Sequence, residues 1–107
     1  MTTADFYIYK IKKDGQGNIA GVRIRRVDVD QDGKVTVKGS RYAVKGLICD
    51  LLKTNKLKIQ TAAYSKNQKL WTVLNDVSLV VEGDKEYLRI DGEHTLKDDL
   101  GTLPEFL

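Results

Sequence analysis

Only one stretch of the chain repeats its apolar residues at helical spacing: Val44, Leu47, Ile48, Leu51 and Leu52 fall at i, i+3, i+4, i+7 and i+8. Elsewhere the apolar residues alternate or run in short β-branched groups. The chain therefore reads as a sheet with a single helix laid across it. The spacing predicts a helix over residues 40–54. Ser40 stands where an N-cap hydroxyl accepts from a free first-turn amide, and Asn55 where the chain can leave in a left-handed conformation. Gly46 inside the helix costs roughly 1 kcal/mol relative to Ala, which close packing against a strand would rationalise.

The strands are set off by turn residues. Phe6-Tyr7-Ile8-Tyr9-Lys10-Ile11 is aromatic and β-branched, and Asp14-Gly15-Gln16-Gly17-Asn18 then reverses the chain. Between Ile19 and Asp30, Val22 and Ile24 share one face while Arg23 and Arg25 share the other. Arg25-Arg26 shifts the phase, so a β-bulge is expected there to return Val27 and Val29 to the core face. Asp32-Gly33 predicts a two-residue type I′ hairpin into Val35–Lys38. Residues 56–63 alternate Leu57, Ile59 and Thr61 against Lys56, Lys58 and Gln60. Ser65–Gln68 turns the chain, Trp71–Val81 is a strand or a pair broken at Asn75-Asp76, and Tyr87–Ile90 is the last strand. Residues 91–107 read as an extended tail packing around Leu100, Leu103, Pro104 and Phe106. The expected class is α+β, a mainly antiparallel twisted sheet of five to seven strands with one helix, in a single domain spanning residues 1–107.

A chain of 107 residues is the size of one core, and its apolar runs are far short of the roughly 20 residues a membrane-spanning helix needs. The first residues hold no basic segment followed by an apolar one, and Cys49 is the only cysteine, so no internal disulfide forms. Both features point to the reducing cytoplasm. Cys49 is expected on the flank of the helix as a small, partly buried side chain.

Charge is distributed unevenly. Residues 1–72 hold 15 Lys/Arg against 6 Asp/Glu, whereas residues 73–107 hold 3 against 9. Such polarity marks either an anion-binding face beside an acidic tail or two ends that neutralise each other in the fold.

Catalytic and metal-binding patterns are incomplete. Asp28, Asp30, Asp32 and Gly33 copy the opening of a calcium loop, but Gly39 occupies the position that needs a bidentate Glu, and a hairpin turn explains the same residues. His94 is the sole histidine and has no partner set for zinc or nucleophilic chemistry. Asp91, Glu93, Asp98 and Asp99 read as a solvated acidic segment. Asp14-Gly15-Gln16-Gly17 lacks the following helix and Lys-Ser/Thr of a phosphate loop. No catalytic residue, metal or cofactor is assigned, and the chain is read as a non-enzyme.

The basic sheet face carries the functional expectation. Arg23 and Arg25, with Lys56 and Lys58, alternate against apolar neighbours and project from the core. Guanidinium groups grip phosphate through paired hydrogen bonds, lysines add compact charge, and Tyr64, with Tyr7, Tyr9 and Tyr42, can stack on bases. The expected ligand-binding set is Arg23, Arg25, Lys56, Lys58 and Tyr64, taking an anionic ligand such as a small nucleotide or nucleic acid. The alternative is a protein-interaction or self-assembly module using a sheet edge or a patch that includes Trp71, and homo-oligomers are compatible with either.

From the helix through Asn55-Lys56, Thr61, Trp71–Val81 and Tyr87-Leu88-Arg89-Ile90 to Asp98-Asp99-Leu100 and Leu103-Pro104, the chain resembles a small bacterial and phage domain family of unknown function. Members close on an Asp-Asn-Leu followed by Leu-Pro. The resemblance covers about residues 40–106; it implies a fold and a bacterial or phage origin, and no catalytic residues, while a phage-type nucleotide-sequestering protein would belong to the anionic-ligand reading above.

Overall fold

The computed structural model describes residues 4–91 and 97–105. Its elements are β1 (Phe6–Lys13), β2 (Ile19–Val29), β3 (Val35–Val44), α1 (Lys45–Lys53), β4 (Ile59–Ser65), β5 (Leu70–Asp76), β6 (Ser78–Glu82) and β7 (Lys85–Arg89). The first five strands form one sheet in the order β3-β2-β1-β4-β5, and β6 and β7 form a second, two-stranded sheet. All pairs are antiparallel except β1 with β4. A parallel neighbour needs a crossover, and α1 supplies it. The α+β class holds, with the strands divided between two sheets where one was expected. Among the described residues no helix is long and apolar enough to cross a membrane.

Both turns of the β1–β2–β3 meander are built alike. Asp14 Oδ1 accepts from the amides of Gln16 and Asn18, at 2.8 and 3.0 Å; Asp30 Oδ1 accepts from those of Asp32 and Lys34, at 2.9 and 2.8 Å. The fourth residue of each is a glycine at positive φ, Gly17 at 83° and Gly33 at 82°. These are three-residue loops closed by a left-handed glycine rather than the two-residue turn expected at Asp32-Gly33. The Asp30 carboxylate is thereby used within its own turn, and Asp28 faces Arg26 at 3.1 Å and Lys38 at 3.8 Å. No cluster of three metal-binding side chains occurs among the described residues, which removes the support for a calcium loop.

The main sheet is apolar on both faces, and this decides where everything else goes. One face carries Ile8, Ile11, Val22, Ile24 and Ile59, covered by Ile48 and Cys49 of α1 and by Leu88, Leu100 and Leu103. A bulge at Tyr9 returns Ile11 to this face three residues after Ile8. The opposite face carries a smaller cluster of Ala4, Tyr7, Val27 and Ala62, flanked by Val37 and Trp71. A register shift does fall between Arg25 and Val27, but the additional residue lies in β3, between Ser40 and Val37. Val27 therefore stays on the second face and joins its cluster instead of returning to the first.

The helix begins later than its apolar spacing suggests. Residues 40–44 extend β3, pairing from Arg25↔Ser40 to Gly21↔Val44, so strand pairing overrides the helical pattern there. Ser40 consequently caps nothing; its hydroxyl shares a hydrogen bond with that of Tyr9. Val44, without a side-chain cap bond, holds the N-cap position, and Asn55 leaves at φ 56° as expected. The helix turns Ile48 and Cys49 fully inward and leaves Val44 and Leu47 exposed. Cys49 is thus wholly buried, not half-covered, and burial with help from the Glu86 charge pushes its thiol from 9.0 to about 11. An added Cβ at Gly46 would meet no atom within 4 Å, so close packing is not its reason.

Asp98 ties the fold together. Its side chain is 1% exposed and accepts from the Ile19 amide (3.0 Å), the Leu88 amide (2.8 Å) and Lys45 Nζ (2.8 Å). The expectation of a solvated acid fails at this residue because the tail runs back across the helix side of the sheet. Neighbouring Arg89, also buried, grips Asp91 with two bonds at 2.9 and 2.7 Å and donates to the Lys97 carbonyl at 2.9 Å. Pro104 then accepts from the Ile11 amide at 2.9 Å, bringing the tail alongside β1. The readings of Glu93, His94 and Phe106 lie outside the described residues.

Candidate functional site

With α1, the β6–β7 hairpin and the described tail all on the first face, no described helix or strand covers the second face of the main sheet. Alternation fixes what it displays. Arg25 pairs with Tyr7 on β1 and with Ser40 on β3, Arg23 pairs with Lys10 and Tyr42, and Tyr64 pairs with Trp71 across the β4–β5 hairpin. Side chains of one parity on adjacent strands stand together, so the cluster follows directly from register.

Trp71 is its centre. The ring centroids of Tyr64, Tyr9 and Tyr7 lie 5.2, 5.6 and 5.9 Å from that of Trp71. Tyr9 meets it edge-on at 82°, the arrangement favoured by the ring quadrupoles. The Arg25 guanidinium carbon lies 5.2 Å from the Tyr9 centroid and 5.6 Å from that of Trp71. Each such contact is worth about 0.5–2 kcal/mol, depending on how far water is excluded. Arg25 Nη1 donates to the Lys38 carbonyl at 3.1 Å, while its buried Nε finds no acceptor. The hydroxyl end of Tyr42 lies against Gly21, where an added Cβ would sit 2.7 Å from ring carbon Cε1, so the close approach requires the glycine.

A groove of about 620 Å³ crosses this face. Lys34, Val35, Thr36 and Val37 line it from one edge of the sheet, and Tyr64, Lys69, Leu70 and Trp71 from the other, above Tyr7. Residues of two opposite edges can share one groove because the sheet twists, which curls two diagonal corners toward each other. No carboxylate lines the groove; two other concavities include Asp98 and Asp99, or Asp5 and Asp28, while a third, beside Lys53 and Asn55, also has none.

Of the five residues expected to bind, Arg25 and Tyr64 both stand against Trp71, and Arg23 follows Arg25 on the same face, beside Lys10 and Tyr42. Lys56 lies in the turn after α1, outside any strand. Lys58 precedes β4 at the far corner, with Nζ 4.0 Å from Asp76; six residues before Tyr64, it is about 20 Å along the strand from the Trp71 cluster. The ligand-binding set read from the sequence left out Lys34, Lys69 and Trp71, the last of them named there only in a protein-interaction patch. The signal for Trp71 was present: a tight reversal at residues 66–69 makes Tyr64 and Trp71 cross-strand partners.

The fold and face define a small α+β protein with one sheet face covered by a helix and the other aromatic and basic. Comparisons with family models, with curated proteins and with solved structures give no match, and the resemblance read over residues 40–106 gains no support from them.

Proposed function

We propose that the chain is a non-catalytic module that binds an anionic ligand carrying a planar ring, a nucleotide or nucleic acid, on the second face of its main sheet. The observation that carries this reading is the Arg25 guanidinium set between the Tyr9 and Trp71 rings, 5.2 and 5.6 Å from their centroids, beside a groove that Trp71 shares with Lys34 and Lys69 and that no carboxylate lines. Rings offer stacking area and guanidinium or ammonium groups offer charge, the two halves of nucleotide recognition. An amide-resolved NMR titration with a nucleoside monophosphate mixture and a short oligonucleotide tests it. Shifts should centre on Arg25, Tyr64 and Trp71 and vanish in Arg25→Ala; shifts confined to the helix side would refute the reading.

A second reading, a protein-interaction or self-assembly module, is favoured by β5. This edge strand exposes Leu70, Val73 and Leu74 at 55, 43 and 48%, and has no charged residue between Lys69 and Asp76. Edge strands are usually guarded by charge, proline or bulges, and here a bulge at Leu74 interrupts the stretch between the charged Lys69 and Asp76. Sedimentation showing a dimer insensitive to nucleotides would favour it.

A further inference from the structure

We infer that the ligand of this face is a single strand of nucleic acid laid across the sheet, with one base against Tyr64 and Trp71 and flanking phosphates between Lys34 and Lys69; this rests on the anionic-ligand reading above. Three observations separate a strand from a free nucleotide.

The first is shape. Small ligands are held in pockets that bury most of their surface. The groove over Tyr7 is instead an open channel between two curled corners, and its lining comes from four separated stretches of the chain, with no described residue roofing it. A channel of this kind suits a chain that enters and leaves.

The second is the spread of recognition groups. Rings and cations continue beyond the groove, from Trp71 on β5 through Arg25 on β2 to Tyr42 on β3, the outermost strand on the other side. Four strand-to-strand steps amount to roughly 19 Å. That reach exceeds one nucleotide and accommodates about four, the lower end of site sizes for single sheet modules that bind single strands.

The third is the quality of the contacts. The exposed Tyr64 ring and the part-buried Trp71 beside it can stack on any base, and lysines on mobile stems follow a backbone. No side-chain amide lines the groove to read base edges. The face is therefore suited to unpaired bases with little sequence preference, and a duplex hides its ring faces in its own stack.

The chain's one tryptophan is Trp71, so its fluorescence reports on this face alone. Titration with oligothymidylate of about eight nucleotides, a size within the range of such sites, is compared with thymidine monophosphate and with a duplex of equal length. The expected result is quenching by the oligonucleotide at concentrations at least about tenfold below those needed for the monophosphate or the duplex, a difference near one base-stacking contribution. Affinity should fall as salt rises, with a slope that becomes shallower in Lys34→Gln/Lys69→Gln, and Tyr64→Ala should weaken binding about tenfold. Those three substitutions are at exposed positions, and unchanged circular dichroism confirms the fold. Equal affinity for monophosphate and oligonucleotide would overturn the strand and leave the anionic-ligand reading intact. Preference for the duplex would also overturn it. No response to any of the three removes both readings.

Discussion

Asp98 shows how much one side chain can hold. Two main-chain amides from distant strands and the first lysine of the helix converge on its carboxylate, which is sealed from water. Replacing it by asparagine leaves Lys45 facing a neutral amide and obliges one oxygen to become a donor beside donors. We expect Asp98→Asn to lose about 3 kcal/mol in urea unfolding. Asp99→Asn, at a half-exposed neighbour whose Oδ1 accepts only the Gly101 amide, should change stability by less than about 0.5 kcal/mol. The sequence offers no means of ranking these two adjacent acids. Their roles depend on partners 79 and 10 residues away for Asp98, and only two away for Asp99. Arg25 and Tyr64, by contrast, were legible, because alternation along a strand depends on nothing distant.

At the scale of elements, turn chemistry and strand pairing were read unequally well. Both aspartate-glycine turns were located, but their size was not: the Asp30 carboxylate spans to Lys34, and that capping bond selects the three-residue loop over the type I′ turn. Gly33, at φ 82°, should cost about 1–2 kcal/mol when changed to Ala, since an L-residue enters that conformation against its Cβ. Gly46, in the first helical turn with open space around it, should gain about 0.5 kcal/mol on the same change. Thermal unfolding of the two variants therefore moves in opposite directions. The helix start was misplaced because residues 40–44 satisfy both periods, and only the long partner strand β2 decides between them. A local pattern cannot contain that information.

For the whole molecule, the uneven charge of the two halves acquires a geometry. Lys45–Asp98, Lys53–Glu86 and Lys58–Asp76 join them on the helix side and at one corner, so part of the polarity is neutralised. Lys34 and Lys69 meet no carboxylate among the described residues and stay with the aromatic groove. Cys49 sits where helix and sheet close, and its thiol ionises near 9.0 in the unfolded chain but only near 11 in the fold. A raised folded value means that ionisation favours the unfolded state as pH climbs. Stability from this group is complete below pH 9.0 and is lost through about pH 11. Urea midpoints of the native chain should fall more steeply over that window than those of Cys49→Ala.

The position of Asp98 along the chain also has a consequence for biosynthesis. Every strand of both sheets is synthesised before this residue, yet the amides of Ile19 and Leu88 and the ammonium of Lys45 all donate to its carboxylate, and Leu100 and Leu103 pack in the same core cluster as Ile8 and Val22. On the growing chain the larger apolar face of the sheet therefore stays unsealed until residues 98–103 have been made.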